Sequence, residues 1–256
     1  MLKRKIFRLH RKFRLQIKIR NIALFSLAAA IAFPCAANSQ NGMSAAAPLP
    51  SNYQTIFENS DALVMHVHYA AHEFVPMHDH SAYPTLYIYL NDAGEVDLKH
   101  EGPDGFVAKR PPTHTGAWRI SPGMKERHSV QSLSDTDSDF LRVEFKQLPP
   151  DEIKQVFRGE PPPPSIADLT TDFSSPSIWI QHMICHALKP CSVGRTISAR
   201  TLLIAITPMQ VKTNIGMRNL APGDTLWLPA DGHYWPPVSP GSQSMTISFL
   251  YPDKPL

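Results

Sequence analysis

His66-Val67-His68-Tyr69-Ala70-Ala71-His72-Glu73-Phe74-Val75-Pro76-Met77-His78-Asp79-His80 packs five of the chain's twelve histidines into one short stretch. On a β-strand, side chains at i and i+2 share a face, so His78 and His80 can turn toward one ion together, as can His66 and His68. A third ligand then has to come from elsewhere in the chain. Immediately downstream, Thr85-Leu86-Tyr87-Ile88-Tyr89-Leu90 alternates as a strand does, with Thr85, Tyr87 and Tyr89 on one face. Asn91-Asp92-Ala93-Gly94 closes it as a turn.

The same alternation recurs outward from this stretch, at 63–69, 140–145, 201–207 and 245–251, and turn clusters such as Ala221-Pro222-Gly223-Asp224 separate the runs. Proline is abundant, 25 of 256 residues. Because it cannot donate to a ladder or sit inside a helix, this content favours short strands joined by turns. The spacing predicts an all-β chain whose single helical turn spans 151–157. Residues 149–177, with Pro149-Pro150 and the tetraproline Pro161–Pro164, read as a stiff linker between two β-rich parts, 51–148 and 178–256. The parts share a pattern: Gly116, five residues, Pro122 in one, and Gly223, five residues, Pro229 in the other. A histidine follows each, His128 and His233.

Pro76-Met77-His78-Asp79-His80 with its following strand and turn resembles the first motif of the cupin superfamily, and Gly116 to Pro122-Gly123 ending at His128 resembles the second. The resemblance implies two cupin-type jelly-roll β-barrels in tandem. It further implies a divalent transition metal (Zn, Cu, Ni, Fe or Mn) held in the first barrel by His78, His80 and His128, with positions left open for water or a small-molecule ligand. The pattern departs from the usual one where Thr85 stands in place of a glutamate; Glu126, two residues before His128, is the candidate fourth ligand. Thr85, Tyr87 and Tyr89 are the candidate pocket residues, with filling of the barrel interior as the alternative. A three-histidine set is similar to that of the cupin thiol dioxygenases, which implies either a small-molecule metalloenzyme, dioxygenase-like or hydrolase/isomerase-like, or a non-catalytic ligand-binding or scaffolding cupin with a structural ion or none.

The second part retains the frame without the histidine pair: Cys191 to Arg200 stands where the pair is expected, and only His233 keeps a motif position. Trp227, Tyr234 and Trp235 near it could stack on a ligand or plug the barrel end. His66, His68 and His72 read as exposed strand histidines, His100 and His114 as surface or packing residues. His182 and His186 beside Cys185 do not share a strand face. Cys185 and Cys191 allow either a bridge closing a short loop or two buried thiols.

Charge is unevenly placed. The formal net charge is +3, yet nine of the 25 basic residues lie in the first twenty positions, and the first acidic residue is Glu58. Without them, 16 basic residues face 22 acidic ones, a balance of −6. Such a body does not suit a phosphate backbone, so no nucleic-acid partner is expected. The basic stretch, the apolar run 22–33 and the small residues Ala36, Ala37 and Ser39 read as a signal peptide over 1–39, followed by a flexible segment, 40–50. Twelve apolar residues span about 18 Å as a helix, short of a ~30 Å hydrocarbon core, so no stable membrane anchor is expected. A periplasmic or secreted protein follows, with self-association into a homo-oligomer left open. Nucleophile elbow, phosphate loop and dinucleotide fingerprint are all missing from the sequence.

Overall fold

Short alternating runs broken by proline and glycine form strands throughout the region that the computed structural model describes: residues 48–102, 105–149, 151–163, 169–185, 191, 195–235 and 241–251. The signal peptide expected over 1–39, most of the segment 40–50, and His186 lie outside it. The described residues belong to one unit, 45–256. None of them is helical; the helical turn expected over 151–157 is instead a turn followed by extended chain. Among them no helix is long and apolar enough to cross a membrane.

The first ten strands are β1 (Tyr53–Glu58), β2 (Ala62–Tyr69), β3 (Phe74–His80), β4 (Thr85–Tyr89), β5 (Val96–His100), β6 (Val107–Arg110), β7 (Trp118–Ser121), β8 (Glu126–Ser132), β9 (Ser138–Phe145) and β10 (Phe157–Gly159). They make two antiparallel sheets, ordered β1-β2-β9-β4-β7-β10 and β3-β8-β5-β6. The remaining strands are β11 (Leu169–Ser174), β12 (Ile178–Ile184), β13 (Arg195–Thr196), β14 (Arg200–Ala205), β15 (Met209–Thr213), β16 (Gly216–Leu220), β17 (Thr225–Leu228), β18 (His233–Trp235) and β19 (Gln243–Phe249). Their sheets run β11-β12-β19-β14-β17 and β13-β18-β15-β16. Each order repeats the earlier one with every strand number raised by ten, except that β10 has no counterpart among the described residues. Even the irregularity of the first hairpin recurs, between Thr55 and Phe57 and between Thr171 and Phe173.

The glycine-to-proline pattern has a structural reason. Gly116 and Gly223 both adopt positive φ, 85° and 87°, which a side chain disfavours. Each donates its amide to the end of the strand that pairs with the one it opens, Gly116 to Tyr89 of β4 and Gly223 to Ala205 of β14, both at 2.8 Å. The Pro-rich segment 149–177 contributes an edge strand to each half, β10 pairing with β7 and β11 with β12.

Three apolar layers separate the four sheets. Met65, Val67, Val75, Val130 and Phe140 fill the space between the two sheets of the first half, and Met183, Leu203, Val211 and Leu228 do so in the second. The largest layer joins the halves: Val64, Ile88, Leu141, Val143 and Phe145 meet Ile178, Ile180, Leu202, Ile247 and Phe249. The large sheets are therefore covered on both faces, which is why β4 and β9 are buried at nearly every position. Trp227 belongs to this joint, stacked on Phe57 with ring centroids 5.7 Å apart and also packed on Phe249. Its ring is thus engaged in the joint between the halves, whereas the sequence suggests a ligand or a barrel end. Tyr234 is buried in the second half's core.

Cys185 and Cys191 are disulfide-bonded, with 5.3 Å between their Cα atoms, which settles the pairing left open by the sequence. A loop this short constrains the unfolded chain by about 2 kcal/mol. Full reduction is expected to lower the melting temperature by roughly 4–8 °C, at ~2–4 °C per kcal/mol for a domain of this size. Equal melting curves with and without a phosphine reductant, with thiol release verified, would show that the bridge contributes nothing to stability.

Candidate metal centre

Three neighbouring strands bring the histidines together. β3 pairs with β8 so that His78 lies opposite His128, and β5 pairs with β8 so that His100 lies opposite His128. Strand parity alone would turn Val75 and His78 to opposite faces. A register shift between them, at Pro76 and Met77, corrects this and leaves Val75, His78 and His80 all buried.

Nitrogens of His78, His80 and His128 lie within 4.8 Å of one another. Ring centroids are 4.8 Å apart for His78 and His80, 4.9 Å for His78 and His128, and 5.0 Å for His80 and His128. Among the described residues this is the one group of three or more histidine, cysteine or carboxylate side chains with metal-binding proximity. Glu126 is outside it. Its Oε2 is 4.0 Å from His128 Nδ1, on the wall of the adjoining cavity.

Each ring has a distinct hydrogen-bonding state. His78 Nδ1 is 2.6 Å from the Pro76 carbonyl, which can only accept, so this nitrogen carries the proton and Nε2 presents a lone pair. The Tyr53 hydroxyl donates to that Nε2 at 3.0 Å and is joined to the Tyr69 hydroxyl at 2.6 Å. Both nitrogens of His80 and Nδ1 of His128 are buried without any partner. Burial lowers the pKa of all three imidazoles. For His80 the charge of Arg142 and the neighbouring rings add to it, and His128 is brought down to about 3 by burial, His78, His100 and Arg142. The rings are thus neutral at ordinary pH, the form in which imidazole donates to a metal.

Unpartnered buried nitrogens are costly. Three neutral imidazoles with no carboxylate, once Tyr53 releases His78 Nε2, form a donor set that suits a divalent transition ion. Two nitrogens on one ion can be no more than about 4.2 Å apart at ~2.1 Å per bond. Separations reaching 4.8 Å mean that an ion has to draw the rings inward.

A cavity of about 200 Å³ opens beside the cluster. Tyr87 and Tyr89 line it, as the alternation on β4 predicts; Thr85 does not. It is buried with its hydroxyl donating to the Tyr83 carbonyl at 2.9 Å, so the residue standing where the resembled motif has a glutamate is engaged elsewhere. His66, His68 and His72 are at the surface beside Asp139 and Asp135, at 3.2, 3.0 and 2.9 Å. His182 is fully buried with Asp172 3.4 Å away. In the second half Thr196 lies opposite His233, the pairing made by His78 and His128 in the first, and His233 is exposed.

Sequence reasoning missed several residues. Tyr53 and Tyr69 reach the cluster, His100 lies 5.3 Å from His128 ring to ring, and Arg110, Arg119 and Arg142 line the cavity. A signal existed for Arg142. In Phe140-Leu141-Arg142-Val143-Glu144-Phe145 the opposite charges sit at i and i+2 in an otherwise apolar strand, which calls for a buried pair. Arg142 Nε donates to Glu144 Oε1 at 2.9 Å, and Nη1 donates to Tyr87 Oη.

No protein-family model matches the sequence, and no curated protein matches it. Similar solved structures include Ylba from E. coli (9% identity, TM-score 0.57, covering 82% of this chain and 88% of that one). AerE from Microcystis aeruginosa is 12% identical with a TM-score of 0.54, over 76% of this chain and 90% of that one. A salicylate 1,2-dioxygenase from Pseudaminobacter salicylatoxidans is 11% identical with a TM-score of 0.50, over 74% and 71%. At such identities the likeness concerns the fold.

Proposed function

The fold is that of the cupin superfamily, and from it we propose that the chain is an exported small-molecule metalloenzyme built as two jelly-roll barrels in tandem. Residues 51–148 form the functional barrel, 178–256 form a barrel that has lost its site, and 149–177 connect them. His78, His80 and His128 hold a divalent transition ion, Zn, Cu, Ni, Fe or Mn. The observation that carries this reading is the convergence of three buried, neutral imidazoles beside a cavity, two of them, His80 and His128, with partnerless nitrogens. Export is supported by the leader in the sequence and by the disulfide, which persists in oxidising compartments.

A bound ion supplies a Lewis acid, or an oxygen-activating centre if it is redox-active, to a small molecule in the cavity. The chain's own groups have separate tasks. His78 is fixed in one tautomer by the Pro76 carbonyl. Tyr53, backed by Tyr69, would give up its hydrogen bond to that Nε2 to a bound ion, leaving its hydroxyl able to orient an oxygen of the ligand. The apolar wall excludes water around the reacting group.

A ligand-binding cupin without turnover is the second reading, and Arg142 favours it, because a guanidinium facing the histidines opposes a dication. Titration of metal-free protein with Zn²⁺, Cu²⁺, Ni²⁺, Mn²⁺ and, without oxygen, Fe²⁺ tests the first reading. One equivalent bound at micromolar affinity or tighter is expected. No binding by any of the five ions sinks it. Oxygen uptake and hydrolysis measured on the loaded protein then separate enzyme from binder.

A further inference from the structure

The cavity beside the histidines carries a charge that the protein does not neutralise. Arg110, at the end of β6, is 7% exposed, and its guanidinium lies over the Tyr89 ring at 5.4 Å and the Phe140 ring at 5.6 Å. Its Nη2 donates to Ser138 Oγ at 3.0 Å and reaches the Gly94 carbonyl at 3.5 Å. Nε and Nη1, with three N–H groups between them, are buried and meet no acceptor. Among the described residues no carboxylate pairs with it. A guanidinium stays protonated even when buried, so an unpartnered one is costly unless an anion answers it.

Arg119, on β7, offers a second donor in the same cavity. Its Nε is also buried without an acceptor, and its guanidinium lies 4.7 Å from the Tyr87 ring centre. Arg142, the third guanidinium on the wall, is already neutralised by Glu144 at 2.9 Å. Glu126 offsets one of the other two, which leaves the cavity with about one uncompensated positive charge. Around these donors the wall is apolar, with Val96, Leu98, Phe106, Met124 and Phe140. The cavity's 200 Å³ is below the ~300–1,000 Å³ of pockets for drug-sized ligands.

We infer that Arg110, assisted by Arg119, is the binding site for the carboxylate of a small organic acid whose apolar body lies between the aromatic wall and the histidine cluster. Charge-assisted hydrogen bonds from the unpartnered N–H groups hold the carboxylate, and the single excess charge matches a monoanion better than a phosphate. The contacts leading from Arg110 to the cluster pass through Phe140, Tyr69 and Tyr53. One end of the ligand is therefore anchored at the arginine while its other end faces His78, His80 and His128. As a statement about substrate class this rests on the metalloenzyme reading; as a statement about binding it does not, because the arginines need no ion to act.

Calorimetric titration of the full chain with benzoate, hexanoate, benzamide and inorganic phosphate, with and without Zn²⁺, tests it. At least one of the two acids is expected to bind the metal-free protein, with benzamide and phosphate at least tenfold weaker. Arg110→Gln is expected to weaken the acid tenfold or more and to leave Zn²⁺ affinity within about threefold. Arg110→Lys, which keeps a charge, should fall between the two. If Arg110→Gln does not fold, Arg119→Gln takes its place, with a three- to tenfold loss expected. The inference is overturned if neither acid binds, if benzamide or phosphate equals the acid, or if the arginine variants bind the acid as wild type does. Acid binding by a wild-type protein that binds no zinc upholds the arginine site and overturns the metal reading alone.

Discussion

Replacing His80 by alanine is expected to weaken divalent-metal binding at least about a hundredfold, equivalent to ~2.7 kcal/mol, with little change in the stability of the metal-free fold. The imidazole is 5% exposed and neither nitrogen has a hydrogen-bond partner, so its removal breaks no hydrogen bond and relieves an unsatisfied buried polar group. What it does remove is one of three nitrogen donors from a set with no carboxylate to replace it. His100→Ala is the control. His100 lines the same cavity and stacks on Phe106, yet it stands outside the cluster, so its variant should keep zinc affinity within a few-fold of wild type. Titration calorimetry on both variants decides the matter. Equal affinity in wild type and His80→Ala would mean that any bound ion sits elsewhere.

Glu144→Gln is expected to lower unfolding free energy by about 3 kcal/mol, the lower end of the ~3–5 kcal/mol found when one member of a buried ion pair is removed. Arg142 and Glu144 are each 3% exposed, and Ser81 Oγ donates to the second carboxylate oxygen at 2.7 Å. The amide still accepts one hydrogen bond but leaves the guanidinium charge uncompensated. A double variant, Arg142→Met with Glu144→Leu, should regain most of the loss, since the penalty comes from the unpaired charge and not from the missing pair. Because Arg142 also faces the three histidines, Glu144→Gln should weaken zinc binding as well. Urea denaturation of the three proteins measures the first effect. A loss under about 1 kcal/mol, the scale of an exposed pair, would show the pair to be screened by water.

Much of the fold was legible because strand formation is a local property. Alternation and proline content gave an all-β chain, and the shared glycine-to-proline spacing marked an internal repeat that appears as sheet orders offset by ten strands, β10 alone having no counterpart among the described residues. The short polar stretch around Asp151 read as a helical turn because its few residues carry no strand alternation; packing of Ile153 into the core and pairing of the next residues with β7 keep it extended. Trp227 read as a rim residue for a related reason. Nothing near it in sequence reveals that Phe57, 170 positions earlier, is its stacking partner.

By itself the sequence determined which residues could hold a metal: two histidines at i and i+2 and one histidine after the second motif. Tertiary structure decided which of the remaining candidates join them. A bulge at Pro76 and Met77 turns His78 inward against simple parity, Thr85 bonds to the Tyr83 carbonyl and does not line the cavity, Glu126 stands at the cavity wall, and His100 arrives through strand register. The arginines were invisible as a group because β6, β7 and β9 are brought onto one cavity by closure of the two sheets of the first half, a non-local event. Side-chain periodicity is written in neighbouring residues, whereas cross-strand register, burial of charge and the balance of a cavity depend on residues that meet only when the sheets close.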